Sequence, residues 1–221
     1  MFFAKMRADL RSIRERDPAA RSSSEIFFLY SGFHAVLYYR ASHRLLKMHL
    51  KGLARWVSQL GRFFTGIEIH PGAEIGRGLF IDHGMGVVIG ETCVIGDGVT
   101  IYQGVTLGGT GKHAGKRHPT IGDGVVIGAG AKVLGPFTVG DGAKIAAGAV
   151  VLDEIPPGAT AVGVPARVVR INGERVDARA SELDQIHIPD PVAQELCRLR
   201  VRIEALEKTF GDKTDTEVDD I

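Results

Sequence analysis

The chain has 221 residues, and its 27 lysines and arginines nearly balance its 26 aspartates and glutamates, for a formal net charge of +1. This balance gives no electrostatic case for binding nucleic acid or an acidic membrane. The two cysteines are too few for a disulfide framework, no apolar run is long enough to span a bilayer, and charges interrupt the N-terminus too early for a secretory signal. We therefore expect a soluble, cytoplasmic protein.

Three helices are predicted within residues 1–66. Residues 2–16 carry apolar side chains at three- and four-residue spacing and end before Pro18, because the residue before a proline is pushed out of the α region. Residues 26–46 and 53–64 show the same helical spacing, and the serines at 22–24 are candidate N-caps for the first of these two segments. The first domain is therefore predicted to be an α-helical N-terminal region.

An aliphatic residue recurs at every sixth position through residues 69–151, which is the signature of a solenoid. The residue after the aliphatic one is often glycine, which suits a sharp turn. The repeat is broken twice, by an eight-residue step between Ile81 and Ile89 and a fourteen-residue step between Leu107 and Ile121. Residues 108–120 are polar and glycine-rich, and we predict a loop there, since insertions in solenoids map to one face that often binds ligand. The repeated positions are Ile69, Ile75, Ile81, Ile89, Ile95, Ile101, Leu107, Ile121, Ile127, Val133, Val139, Ile145 and Val151.

The repeat is predicted to end soon after Val151, because two prolines at 156 and 157 stop regular strand pairing. Residues 171–221 read as a polar connector, a helix and an acidic tail that we expect to be flexible. Apolar residues in the helix, residues 192–210, alternate between four- and three-residue spacing, which is the pattern of a heptad seam. Such a short seam suits self-association beside an assembled core.

The breaks in the repeat carry the candidate catalytic residues. His83 follows Asp82 at the first break, and a neutral imidazole is the usual general base for a hydroxyl group. Arg117 and His118 lie at the second break, and arginine is well suited to bidentate binding of a carboxylate. The alternative for each of these residues is an ordinary turn or loop position exposed to solvent.

Two other kinds of site find little support in the residues. The glycines of residues 108–111 do not follow a strand and open a helix, so they do not form a nucleotide-binding fingerprint. Three of the histidines His70, His83, His113 and His118 could hold a catalytic zinc ion, but no i, i+4 pair or matched repeat position supports such a site.

The hexads and six longer motifs resemble the left-handed parallel β-helix acyltransferases and, more narrowly, the serine O-acetyltransferases. The hexads alone are shared with sugar and antibiotic acetyltransferases, whereas IDHGxGVVIGET together with VTLGGTGK and RHP is specific. The resemblance implies a left-handed parallel β-helix over residues 67–170, preceded by the helical region and followed by the C-terminal helix. The motifs are RDPAARSS, FHAVLYYR, IEIHPGAEIGRGLFIDHGMGVVIGET, VTLGGTGKHAGKRHP, IGAGAKVLG and GVPARVV.

The resemblance also implies a reaction, the transfer of an acetyl group from acetyl-CoA to L-serine in cysteine biosynthesis. His83 matches the base that takes the proton from the serine hydroxyl group, which then attacks the thioester. Asp17 and Asp82 match the acids that hold the amino group of the substrate. Arg117 matches the residue that binds its carboxylate, and His118 matches the second histidine of the active site.

Further residues follow from the same resemblance. Glu68 stands where the family commonly has an aspartate that orients the catalytic histidine, and its side chain is one methylene longer. The coenzyme of the family lies along the coil between neighbouring subunits and is contacted largely by backbone, which points to Gly109, Ala129, Lys132 and Ala147. No metal is expected.

Partners are implied in the same way. We expect a homotrimer, with a dimer of trimers as the alternative, and feedback inhibition by L-cysteine at the serine site. In the family an acidic tail ending in isoleucine inserts into O-acetylserine sulfhydrylase, and Ile221 with its free carboxylate is the matching residue. The competing functions are another small-molecule acetyltransferase on the same coil, a zinc enzyme of the carbonic-anhydrase type, and a noncatalytic scaffold.

Overall fold

The computed structural model describes residues 2–111 and 114–175, together with Leu199, Arg202 and Ile203. The chain divides into two units, Met1–Val176 and Asp177–Ile221. Leu199, Arg202 and Ile203 are helical, and the rest of the predicted heptad helix, like Ile221 and His113, lies outside the described residues. No helix in the described part of the chain is long and apolar enough to cross a membrane.

The N-terminal region contains four helices where three were predicted. They are α1 (Phe2–Arg16), α2 (Ser23–Leu29), α3 (Ser31–Lys47) and α4 (Lys51–Thr65). The prediction of one continuous helix over residues 26–46 is wrong at Tyr30, which is extended with φ −88° and ψ 108°. Helical periodicity continues across this residue, so the sequence pattern alone does not reveal the break.

The helix break at Tyr30 has a tertiary cause. A Cβ atom on Gly32 would lie 2.1 Å from the carbonyl oxygen of Ile81, so only glycine lets the start of α3 approach this backbone so closely. The Tyr30 hydroxyl group donates a hydrogen bond of 2.8 Å to Asp17 Oδ2, beyond the end of α1. The extended residue thus lies between two tertiary contacts, its own hydrogen bond to Asp17 and the approach of Gly32 to Ile81.

The hexads form short parallel strands that wind into a three-sided coil, as predicted. Sheet 1 contains β1, β4, β7, β10 and β13; sheet 2 contains β2, β5, β8 and β11; sheet 3 contains β3, β6, β9, β12 and β14, to which β15 and β16 add antiparallel. The strands are β1 (Glu68–Ile69), β2 (Glu74–Ile75), β3 (Phe80–Ile81), β4 (Val88–Ile89), β5 (Val94–Ile95), β6 (Thr100–Ile101), β7 (Thr106–Gly108), β8 (Thr120–Ile121), β9 (Val126–Ile127), β10 (Lys132–Leu134), β11 (Thr138–Val139), β12 (Lys144–Ile145), β13 (Val150–Val151), β14 (Ala159–Gly163), β15 (Ala166–Ile171) and β16 (Glu174–Arg175).

The register of the sheets follows the hexads. Ile89 pairs with Ile69 on one side and with Leu107 on the other, and the second break is absorbed where Ile95 pairs with Ile121. The repeated aliphatic residues are buried inside the coil. Their partners on each two-residue strand point outward, since successive side chains of a strand face opposite sides.

Three edges separate the sheets, and their turns have different chemistry. The first edge, from sheet 3 to sheet 1, consists of residues 82–87, 102–105, 128–131 and 146–149. The second edge, from sheet 1 to sheet 2, consists of residues 70–73, 90–93, 109–111, 114–119 and 135–137. The third edge runs from sheet 2 to sheet 3. There the Asp97 backbone N–H donates to Asp123 Oδ1 at 2.7 Å, and the Asp123 backbone N–H donates to Asp141 Oδ1 at 2.8 Å. This ladder of carboxylates ties successive coils together.

Helices α1 and α3 cover the first coil. Ala35, Val36 and Tyr39 of α3 belong to the same buried core as the aliphatic residues of the coil. Arg40 of α3 forms a buried ion pair with Asp9 of α1, 2.7 Å apart, and the Gly78 backbone N–H donates to Asp9 Oδ1 at 2.8 Å. Both helices are thereby fixed to the coil at the turn before β3, the strand that leads to His83.

Candidate active site

The first edge carries His83 on a turn that the eight-residue step pushes outward. His83 adopts a left-handed conformation with φ 57°, and Gly84 and Gly86 also have positive φ. A non-glycine residue at positive φ is uncommon, and such residues occur preferentially at functional sites. The His83 side chain is 74% exposed, and its Nε2 lies 3.9 Å from Asp82 Oδ1. The imidazole is therefore open to a ligand.

The α2–α3 junction approaches the turn of His83, since the Ser31 hydroxyl group lies 3.5 Å from the His83 carbonyl oxygen, and we call Asp17, Tyr30, Asp82 and His83 the His83 cluster. Asp17 Oδ1 accepts from the Ala19 backbone N–H at 2.8 Å, while its Oδ2 accepts from the Tyr30 hydroxyl group. Burial, the hydrogen bond to Asp17 and the charges of Asp17, Glu25 and Asp82 raise the pKa of Tyr30 to about 12. Asp17 and Asp82 thus act on the same phenol, and together they offer negative charge to an ammonium group.

Glu68 does not contact His83 in the described structure. It lies at the start of β1, and its Oε2 is 3.4 Å from Arg62 Nη1 of helix α4. The turn that contains His83 passes close by, because the Gly86 backbone N–H donates to the carbonyl oxygen of Gly66 at 2.9 Å. The role of Glu68 in orienting the histidine stays a prediction.

The second edge carries the other predicted pair, and we call His70, Glu91, Thr92, Arg117 and His118 the Arg117–His118 cluster. The Arg117 guanidinium donates to Glu91 Oε2, and this hydrogen bond lowers the pKa of Glu91 below its ordinary value. The guanidinium predicted to bind the carboxylate of a substrate already holds a carboxylate of its own chain. A bound substrate would therefore share Arg117 with Glu91 or displace Glu91.

His118 is held tightly within this cluster. It is only 8% exposed, and its Nδ1 lies 2.8 Å from Thr92 Oγ1 and 3.2 Å from the Thr92 backbone nitrogen. A Cβ atom on Gly90 would lie 2.0 Å from His118 Cδ2, so the ring packs directly on the glycine backbone. Burial, followed by the positive charge of Arg117, lowers the pKa of His118 and favours the neutral imidazole.

His70 lies on the same edge, in the turn after β1 and two coils before the turn that carries His118. Its Nδ1 accepts from the Gly72 backbone N–H at 3.0 Å. Burial, followed by the positive charge of Arg55, lowers the pKa of His70 as well. Among the described residues there is no group of three or more histidine, cysteine or acidic side chains that could hold a metal ion.

The residues predicted to bind the coenzyme lie on both edges and on the sheet between them. Ala129 and Ala147 belong to the first edge, where the Gly148 backbone N–H donates to the Ala129 carbonyl oxygen at 2.8 Å. Lys132, on β10 of sheet 1, donates from Nζ to the carbonyl oxygen of Gly104. Gly109 is on the second edge, where a Cβ atom would lie 3.0 Å from Arg117 Cγ.

The two clusters do not meet within one chain. His83 follows β3 and His118 precedes β8, so they occupy different edges of the prism with sheet 1 between them. A single chain therefore presents the predicted base and the predicted carboxylate-binding arginine on separate surfaces.

Sequence reasoning missed three polar residues of these clusters, Tyr30, Glu91 and Thr92. A signal was available for two of them, because Glu91 and Thr92 follow Ile89 and Gly90 in the coil just before the inserted loop. The hexad register places that turn on the edge from which the loop leaves. No sequence signal marked Tyr30, since its role depends on the break between α2 and α3.

The chain was compared with known proteins. The family description "Serine acetyltransferase, N-terminal" matches residues 1–37, and "Bacterial transferase hexapeptide (six repeats)" matches residues 118–153. The serine acetyltransferase of Bacillus subtilis (strain 168) is 54% identical over 213 residues, which are 96% of this chain and 97% of that protein. That of Synechocystis sp. is 57% identical over 201 residues, 91% of this chain and 79% of that protein. The chain belongs to the serine acetyltransferase family.

Solved structures of family members have the same fold. Neisseria gonorrhoeae serine acetyltransferase in complex with serine gives a TM-score of 0.74 at 46% identity, covering 76% of this chain and 69% of that one. The Brucella abortus strain S19 enzyme in complex with coenzyme A gives a TM-score of 0.75 at 44% identity, covering 79% of this chain and 69% of that one. A serine acetyltransferase in complex with cysteine gives 0.75 at 44% identity, covering 84% and 71%. The predicted fold class, a left-handed parallel β-helix of hexapeptide repeats after N-terminal helices, is confirmed.

Proposed function

We propose that this member of the serine acetyltransferase family transfers the acetyl group of acetyl-CoA to the hydroxyl group of L-serine, giving O-acetyl-L-serine and CoA for cysteine biosynthesis in the cytoplasm. The observation that carries the proposal is the exposed His83 imidazole, held at positive φ next to Asp82, with Asp17 acting on the same phenol as Asp82. A base and two carboxylates are what a substrate with a hydroxyl and an ammonium group requires.

The chemistry follows from the position of His83. The neutral imidazole takes the proton of the serine hydroxyl group while the oxygen forms a bond to the thioester carbon. The tetrahedral intermediate collapses, the carbon–sulfur bond breaks, and the imidazolium returns its proton to the departing thiolate. Such general base catalysis contributes roughly 10²- to 10⁴-fold to the rate. Glu68, in this proposal, orients the imidazole.

The substrate is bound by both clusters. Asp17 and Asp82 take the ammonium group, and Arg117 takes the carboxylate in place of Glu91. His118 donates a hydrogen bond to substrate or to the oxygen that becomes negative in the transition state, where such donors are most effective. Because the clusters lie on different edges of one chain, the proposal requires that neighbouring chains bring them together.

A homotrimer supplies this arrangement. Around a threefold axis, the first edge of one coil meets the second edge of the next, so each site takes His83 from one chain and Arg117 from another. Trp56 and Phe63 of helix α4 are 61% and 81% exposed, and exposed aromatic residues of this size are typical of interfaces. A dimer of trimers is the alternative assembly.

The coenzyme is proposed to lie along the groove between two chains. Ala129 and Ala147 leave the first edge narrow and give access to its backbone, while Lys132 on sheet 1 can turn toward a phosphate. Gly109 would face the same groove from the second edge of the neighbouring chain. Neither glycine nor alanine obstructs a ligand that is recognised largely by backbone groups.

Two regulatory partners belong to the proposal. L-cysteine carries the same ammonium and carboxylate groups as L-serine, so it should compete with serine, and a relative has been solved with cysteine. The C-terminal Ile221 is proposed to bind the active site of O-acetylserine sulfhydrylase through its free carboxylate. A chain lacking Ile221 should lose this binding and keep its acetyltransferase activity; equal binding by both chains would contradict the proposal.

The deciding experiment measures release of the CoA thiol from acetyl-CoA with L-serine as acceptor. The rate of thiol release with L-serine should exceed the rates with galactosides and amino sugars by orders of magnitude. Equal rates with a sugar would favour another acetyltransferase of the same fold. Metal analysis runs in parallel, and stoichiometric zinc whose removal abolishes activity would favour the zinc enzyme. L-cysteine is then added at several serine concentrations, and inhibition that serine does not relieve would contradict a shared site.

A further inference from the structure

Among the described residues, Thr92 has the only side chain that forms hydrogen bonds with both Arg117 and His118, where the inserted loop returns to the coil. Its Oγ1 accepts hydrogen bonds from the backbone N–H groups of Arg117 and His118, each 3.1 Å long. The same oxygen lies 2.8 Å from His118 Nδ1. A threonine hydroxyl group has two lone pairs and one proton. With both lone pairs engaged, its proton is left for Nδ1.

The backbone of Thr92 leads to the same assignment. Its N–H group, which can only donate, points at His118 Nδ1 over 3.2 Å. Nδ1 therefore carries a lone pair and accepts from both groups of Thr92. In the neutral imidazole the proton must then be on Nε2, for which the described residues provide no hydrogen-bond partner.

The His118 ring has little freedom to adopt the flipped orientation. The Gly90 backbone lies against Cδ2 and Nε2, where an added Cβ atom would be 2.0 Å and 2.1 Å away. A flipped ring would turn carbon toward the two donors of Thr92 and leave them without an acceptor. A buried donor without a partner costs about 1–3 kcal/mol.

We propose that Thr92 is a positioning residue that fixes His118 as the neutral Nε2–H tautomer and so makes it a hydrogen-bond donor. This inference rests on the proposed function, because it assigns the division of labour within that site. Among the described residues no donor is bonded to the His83 ring, which is free to act as the base, whereas His118 presents a proton to an oxygen atom of the substrate. One histidine accepts a proton in the reaction and the other offers one.

The test uses two variants of Thr92 and one control. Thr92→Val removes the hydroxyl group while keeping the shape, and Thr92→Ser restores the hydroxyl group. Thr138→Val is the matched control, since Thr138 is exposed on sheet 2 and its side chain makes no hydrogen bond among the described residues. The ring ¹⁵N signals of His118, identified by their absence in His118→Asn, report the tautomer directly and without substrate.

In the unchanged protein, His118 should show an unprotonated Nδ1 and a protonated Nε2. Thr92→Val removes the shorter donor and leaves only the backbone N–H at 3.2 Å, so it should raise the population of the Nδ1–H tautomer and lower kcat about tenfold, the effect of losing one well-placed hydrogen bond, with the KM for acetyl-CoA unchanged. Thr92→Ser should recover both the tautomer and kcat, and Thr138→Val should match the unchanged protein.

Two results would overturn the inference. One is Nδ1 protonation in the unchanged protein, and the other is a Thr92→Val variant whose tautomer is unaltered, whatever its activity. The failure of the proposed function would look different. In that case the unchanged protein would not acetylate L-serine, and the ring signals would still decide whether Thr92 sets the tautomer.

Discussion

The two edges that flank sheet 1 each present a histidine, and they do so in opposite ways. The His83 side chain is 74% exposed on a turn with positive φ, and its Nε2 lies 3.9 Å from Asp82 Oδ1. His118 is 8% exposed, bonded through Nδ1 and packed on Gly90. An imidazole that must gain and lose a proton needs an open Nε2, whereas one that must donate needs a fixed ring. The same side chain is thus prepared for two roles by its surroundings.

The largest effect is expected from removing the exposed imidazole of His83, which tests its role as the base. Asparagine tolerates the left-handed conformation better than alanine does, so His83→Asn removes the base with little added backbone strain. We expect kcat for acetyl transfer to L-serine to fall roughly 10²- to 10⁴-fold. His49 also has positive φ, 61°, and lies far from either cluster in the chain, so His49→Asn is the matched control. Full activity in His83→Asn would exclude His83 as the base.

The separation of the clusters can be tested by mixing inactive chains. If each site uses His83 of one chain and Arg117 of its neighbour, hybrids of His83→Asn and Arg117→Ala contain some intact sites. With random assembly about a quarter of the sites should regain activity. Mixing His83→Asn with Asp17→Asn, both in the His83 cluster, should give no such gain. A mixture of the first kind that stays inactive would place both clusters of one site on a single chain.

The fixed histidine can be displaced without changing its chemistry. Gly90→Ala would put a Cβ atom 2.0 Å from His118 Cδ2, so the ring must move. We expect activity to fall about tenfold and the free energy of unfolding to fall by about 1–3 kcal/mol, as for other overpacked sites. Gly52→Ala in α4, where no atom lies within 4 Å of the new Cβ, should instead stabilise the protein by about 0.5–1 kcal/mol. Urea denaturation and the thiol assay measure both effects, and wild-type values for Gly90→Ala would refute this packing.

The smallest effect concerns pH and stability. The pKa of His118 is lowered from 6.5 in the folded protein, so below about pH 6.5 the unfolded chain binds more protons at this residue than the folded chain does. Stability should therefore fall as the pH drops from about 7.5 to about 5.5. The urea midpoint should fall less steeply in His118→Asn. His70, whose pKa is also lowered, should contribute in the same direction. An identical slope in both proteins would mean that His118 is not held neutral.

The sequence predicted the coil and its register because a period of six residues is visible in one dimension. The pairing of Ile89 with Ile69 on one side and Leu107 on the other follows from counting residues along the repeat. The helix break at Tyr30 could not be predicted by counting residues, since it accompanies a tertiary contact between Gly32 and Ile81. The side chain that holds His118 was equally hidden, because Thr92 and His118 are 26 residues apart in the chain and meet only when the inserted loop returns to the coil.

The candidate site was predictable in part and for a related reason. His83, Arg117 and His118 stood out because they lie at breaks of the repeat. Their distribution over two edges was not apparent until each break was assigned to a side of the prism. For Glu68 the sequence and the structure point to different partners. Its position in the sequence suggests a role beside His83, whereas its ion pair is with Arg62.

The helix that covers the first coil also bears on the order of folding. In a solenoid each repeat is stabilised mainly by its neighbours, so an end without a neighbour frays first. Ala35, Val36 and Tyr39 of α3 give the first coil an apolar surface on which to wind. We therefore expect the coil to assemble away from α3, and amide hydrogen exchange should be slowest in the coils next to it. The turn that contains His83 lies in that region and should be among the last parts of the chain to open.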